Sequence, residues 1–124
     1  MSKCILIVDD EADVREVTQL GLEMGTNWTV LTASSGAEAI AIATQEHPDA
    51  ILLDLMMPDM DGRTTLKQLK AIAATRDIPV IMVTAKAQQS NLQDFQDLEV
   101  AAIMTKPFRP LKLAAEITCI LQWS

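Results

Sequence analysis

Five short apolar runs, at residues 4–8, 28–31, 50–53, 80–83 and 100–104, alternate with amphipathic segments along the whole chain. Four of the runs are nearly unbroken in apolar residues and too short for helices, which is how strands covered on both faces read. The run at 28–31 is interrupted by Thr29 and suits a strand at the sheet edge. The segments between them carry helical spacing: Val14, Val17, Leu20 and Met24 after the first run, Ala39, Ile40 and Ala43 after Ser35-Gly36, and Leu66, Leu69, Ile72 and Ala73 after the third. Leu113, Ile117, Ile120 and Leu121 form the last stripe, with Pro110 suited to that helix's first turn. The segment 88–98 is polar, with Leu92, Phe95 and Leu98 as its apolar positions, and makes the weakest helix. Repeats of this kind predict an α/β fold around a doubly wound parallel sheet with helices on both faces. Five strands suit the flavodoxin-like order 2-1-3-4-5.

At 124 residues the chain fits a single domain, 1–124, and the last helical pattern runs almost to Ser124, so no output domain is expected. Its formal net charge of −7 disfavours a nucleic-acid surface, which needs clustered Lys and Arg, and docking on anionic lipid. The same charge fits a merely well-solvated acidic surface equally well. Cys4 and Cys119 fall in apolar patterns and read as buried free thiols. No apolar run is long enough for a signal peptide or a membrane span, and the cytoplasm follows by default.

In open α/β sheets, sites form beyond the carboxyl ends of the strands, where strand order reverses. The first run ends in Asp9-Asp10-Glu11, the third in Asp54, the fourth in Thr84 and the fifth in Lys106-Pro107. Asp9, Asp10 and Asp54 would thus crowd into one cleft, and such a group holds its charge only around a cation. Carboxylate oxygens select a hard ion; magnesium is the common choice, and the twelve-residue calcium loop is missing from the sequence. The competing reading, acids that merely cap helices, accounts for Asp9 or Asp10 but leaves Asp54 and Lys106 unexplained. An acidic turn after the first strand also repels a resident nucleotide, whose phosphates need glycine or hydroxyl residues there.

The run Asp54-Leu55-Met56-Met57-Pro58-Asp59-Met60-Asp61-Gly62 resembles the phosphorylation loop of bacterial response-regulator receiver domains. With Asp9-Asp10, Thr84-Ala85 and Lys106-Pro107-Phe108 it matches the family signature at the positions that carry chemistry, and the resemblance covers essentially the whole chain. It implies that Asp54 accepts a phosphoryl group from a phosphohistidine on a sensor histidine kinase or a phosphotransfer domain. Asp10 would ligate Mg2+ directly and Asp9 through water, with Asp54 and the backbone carbonyl of Met56 completing the protein ligands. Lys106 would pair with Asp54 and then with a phosphoryl oxygen, and Thr84 would act as the switch hydroxyl. Pro107 would follow a cis bond that aims Lys106, and Pro58 and Gly62 would shape the loop after the third strand. Met56 and Lys86 sit where receivers tune phosphoryl lifetime.

The resemblance further implies a signalling module that catalyses only its own phosphorylation and dephosphorylation. It would act as a monomer or weak dimer, through a protein partner bound at the face of the fourth helix, fifth strand and fifth helix. A small magnesium-dependent aspartyl-phosphate phosphatase is the alternative, but that class needs a second aspartate where Met56 stands. A scaffold-only receiver is disfavoured because the acids, Thr84 and Lys106 are all present. Two departures stand out. Ile103 occupies the position where receivers often carry Tyr or Phe, so a muted switch is expected, and Glu99 replaces a glycine that often ends the fourth helix.

Overall fold

The computed structural model describes residues 3–57, 60–85, 100–106 and 109–123, except for the side chains of Ala85, Lys106 and Pro110. The strands are β1 (Cys4–Val8), β2 (Thr29–Ala33), β3 (Ala50–Asp54), β4 (Val80–Ala85) and β5 (Ala102–Lys106). The helices are α1 (Ala12–Gly25), α2 (Gly36–Glu46), α3 (Gly62–Ala71) and α4 (Pro110–Leu121). The helix predicted over 88–98 lies outside the described residues, so α4 here is the C-terminal helix.

The sheet is parallel throughout and runs β2-β1-β3-β4-β5, the predicted flavodoxin-like order, with the interrupted run at one edge. Alternate residues of each strand feed two cores. Leu6, Val8, Ile51, Leu53 and Met82 pack with Ala39 and Ala43 of α2 and Leu66 and Leu69 of α3. Ile5, Ile7, Leu52, Ile81 and Val83 pack with Leu22 of α1 and Leu113 and Ile117 of α4. Period-two strands buried on both sides explain the unbroken apolar runs.

Helix starts follow local chemistry. Ser35 Oγ accepts the Glu38 N–H at 3.1 Å while a Glu38 carboxylate oxygen accepts the Ser34 N–H at 2.7 Å, a reciprocal cap for α2. Asp61 caps α3 by accepting the Thr64 N–H at 2.9 Å. His47 ends α2 in the left-handed region, with φ 50°, and is exposed as a loop residue.

Three sequence expectations need correction. The stripe Val17, Leu20 and Met24 does not face the core; these residues are 53%, 58% and 68% exposed. α1 instead turns Thr18, Gly21 and Leu22 inward. Positions 14, 18, 21 and 22 share one face as well as 17, 20 and 24 do, and the smaller residues allow close approach to the sheet and to α4. Next, α3 stops at Ala71, before Ile72 and Ala73. Thr75 Oγ1 donates to the Leu69 carbonyl at 2.6 Å and takes the place of a further helical turn. Finally, Cys119 is exposed, on the side of α4 away from Leu113 and Ile117. Cys4 is half-buried, and burial, then Asp49 and Glu46, push its thiol pKa up.

Trp28 and Trp123 meet edge to face at 5.1 Å, and the Lys3 ammonium lies 5.3 Å from the Trp123 ring centre. This cluster joins the start of β1, the start of β2 and the end of α4, at the opposite end of the sheet from the strand termini that carry the acids.

Candidate phosphoryl-acceptor and cation site

Asp9 directly follows β1, and its N–H donates to the Ala33 carbonyl at the end of β2 at 3.1 Å. Its carboxylate accepts the Glu11 N–H at 2.9 Å, and its own carbonyl accepts the Arg15 guanidinium at 2.7 Å. The acidic turn is therefore tied at backbone and side chain together. Asp9 is only 3% exposed, whereas Asp10 is exposed.

Asp54 is the last residue of β3, in register with Val83, and is 5% exposed. The Leu55 N–H donates to the Val83 carbonyl at 2.8 Å, which continues the strand pairing past the acid. A carboxylate oxygen of Asp54 accepts the Met56 N–H across a long 3.4 Å. The Met56 side chain is itself exposed.

The structure brings Asp9, Asp10 and Asp54 together: one carboxylate oxygen from each lies within 4.8 Å of the other two. Two of the three carboxylates are buried, so their mutual repulsion is poorly screened by water. An all-oxygen, multiply anionic donor set of this kind fits a hard divalent cation, and an exposed third acid leaves room for water ligands.

The neighbouring strands complete the rim. Thr84 is fully buried, and its Oγ1 has no hydrogen-bond partner among the described residues. Thr84 pairs with Thr105, and the next pair in the β4–β5 register is Ala85 with Lys106, so the backbone of Lys106 ends its strand at this same edge. Ile103 pairs with Met82 and packs, half-buried, against the α2–α3 core. Gly62 opens α3 directly against β3, its N–H donating to the Leu55 carbonyl at 2.8 Å. Pro58, Lys86 and Pro107, and the side chain of Lys106, lie outside the described residues. The sequence reading missed Arg15; its signal was a basic residue near a helix N-terminus, where the dipole disfavours one.

The family model for the response regulator receiver domain matches residues 5–118. The phosphate regulon transcriptional regulatory protein PhoB of Pseudomonas aeruginosa is 42% identical over 98% of this chain and 53% of its own length. The alkaline phosphatase synthesis transcriptional regulatory protein PhoP of Bacillus subtilis is 39% identical over 100% of this chain and 50% of its own. The chain thus spans about half the length of these curated relatives. Among solved structures, a putative response regulator from Chloroflexus aurantiacus superposes with a TM-score of 0.87 at 30% identity, covering 98% of this chain and 99% of that one. The chemotaxis protein CheY4 of Vibrio cholerae gives 0.87 at 26% identity, covering 97% and 99%.

Proposed function

This chain belongs to the response regulator receiver family of two-component signalling, and on that footing we propose that Asp54 is its phosphoryl acceptor, loaded from a histidine kinase or phosphotransfer domain with Mg2+ at the acid cluster. The observation that carries this reading is the convergence of one oxygen each from Asp9, Asp10 and Asp54 within 4.8 Å at the ends of adjacent strands.

An Asp54 carboxylate oxygen attacks the phosphorus of the phosphoimidazole; the new P–O bond forms as the P–N bond breaks and the histidine nitrogen leaves. When bound, Mg2+ supplies charge neutralisation for the phosphoryl oxygens. Asp10 is assigned as a direct ligand, with Asp9 through water and the Met56 carbonyl beside it. Lys106 is assigned to the phosphoryl oxygens as a mobile point charge. The Met56 N–H already reaches an Asp54 oxygen and orients the nucleophile.

The readout is assigned to Thr84. A buried hydroxyl without a partner among the described residues carries an unmet hydrogen-bonding cost. A phosphoryl oxygen on Asp54 offers it an acceptor, so loading pulls this end of β4 toward the cleft. Ile103 has no aromatic ring to change rotamer together with Thr84 and limits the response on β5.

The donor is assigned to the exposed stripe Val17, Leu20 and Met24, since α1 begins beside the acidic turn and presents apolar surface that its own fold does not use. The downstream partner is assigned to the side of β5 and α4, where an open groove runs between Ile103, Thr105, Lys112 and Glu116. The module modifies itself without turning over a separate substrate, because Met56 supplies no acid for leaving-group protonation.

Incubation with a small phosphodonor and Mg2+, followed by intact mass, tests the reading. It expects a gain of one phosphoryl group that disappears in Asp54→Asn and with chelator. No gain in the parent protein would sink it.

A further inference from the structure

We propose that Arg15 is a positioning residue for the cation site: by holding the Asp9 carbonyl it sets where Asp10 stands relative to Asp9 and Asp54. The inference rests on the reading that these acids take a divalent cation. Arg15 is the fourth residue of α1, near the end of the helix that favours acids over bases, and the last turn of α1, where a base belongs, has none. It is half-buried, and its guanidinium donates to the Asp9 carbonyl at 2.7 Å. That carbonyl belongs to the rigid peptide joining Asp9 to Asp10. Turning this peptide redirects the Asp10 side chain, so the group that fixes it fixes the spacing of the acids. The bonds from the Asp9 N–H to Ala33 and from the Glu11 N–H to the Asp9 carboxylate do not involve this peptide's oxygen.

Charge and position predict opposite signs. As a bare positive charge beside the acids, Arg15 would weaken cation binding, and its removal would tighten it. As a positioning group, its removal weakens binding.

Mn2+ titration followed by the electron-spin signal of the free ion separates them, with parent protein, R15M, R15K and R15Q compared. The near-ultraviolet signature of the Trp28–Trp123 pair, at the far end of the sheet, reports whether each variant is folded. R15M is expected to bind Mn2+ about tenfold more weakly, the usual scale for groups that orient metal ligands. R15K, which keeps a charged donor, is expected to recover part of the loss. Equal or tighter binding by R15M overturns the inference, as does weak binding that R15K leaves unchanged. If R15M does not fold, R15Q takes its place, with weaker binding expected and equal or tighter binding overturning it. Failure of the parent protein to bind Mn2+ removes the cation reading itself, whereas binding that is indifferent to Arg15 removes this inference alone.

Discussion

A Cβ placed on Gly62 would stand 2.6 Å from the carbonyl oxygen of Asp54, so α3 can begin against β3 only where residue 62 has no side chain. The obstacle is backbone, which cannot step aside as a flexible side chain would. Gly62→Ala is therefore expected to destabilise the fold by about 1–3 kcal/mol, the range for overpacking. It should also slow phosphoryl loading by shifting the carbonyl beside the nucleophile. Urea unfolding checks the first effect, and loading from a small phosphodonor checks the second.

The two faces of α1 give a paired prediction. Leu20→Glu on the exposed stripe should change stability by no more than about 0.5 kcal/mol, as for other surface positions. Leu22→Ala, at a fully buried site, should cost about 2–5 kcal/mol. Leu20→Glu should in addition slow transfer from the cognate kinase while leaving loading from a small phosphodonor unchanged. Unfolding of the protein by Leu20→Glu would contradict this orientation of α1.

That helix also shows where sequence legibility stops. The strand ends were legible because an unbroken apolar run must finish somewhere, and Asp9, Asp54 and Thr84 do stand at the carboxyl ends of their strands. The buried face of α1 was not legible, because hydropathy favours the larger side chains of Val17, Leu20 and Met24 over Thr18 and Gly21. Close packing rewards the small ones. The same limit applies to Arg15, whose role depends on a carbonyl that no side-chain pattern reveals. The meeting of Trp28 and Trp123 is likewise a product of topology, which brings together residues distant in the chain.

Thr84→Val should remove a buried hydroxyl without changing side-chain size. Because that hydroxyl has no partner among the described residues, stability is expected to rise by up to about 1–3 kcal/mol, the cost of an unsatisfied buried group. Asp54 should still load, but loading should no longer alter the environment of β4. Amide chemical shifts of Val83 and Ala85, with and without the phosphoryl group, check this.

The cysteines should separate by reactivity. Cys119 is exposed, whereas the Cys4 thiol is held above its ordinary pKa by burial and then by Asp49 and Glu46. Near pH 8 an alkylating reagent should therefore modify Cys119 first. A raised folded-state thiol pKa contributes stability that is complete below the unfolded pKa and lost as pH rises toward the folded one. Stability of the parent protein should accordingly decline on the alkaline side more than that of Cys4→Ala, measured by urea unfolding across that range.

A phosphoryl group carried on Asp54 can be located at the level of the bond itself. An acyl phosphate is reduced by borohydride to an alcohol, whereas a phosphate ester on a hydroxyl is not. Protein loaded from a phosphodonor with Mg2+, reduced in this way and digested, should carry the conversion at residue 54 and none at Asp9 or Asp10. Conversion at either of those acids, or phosphate retained on a hydroxyl such as Thr84, would contradict it.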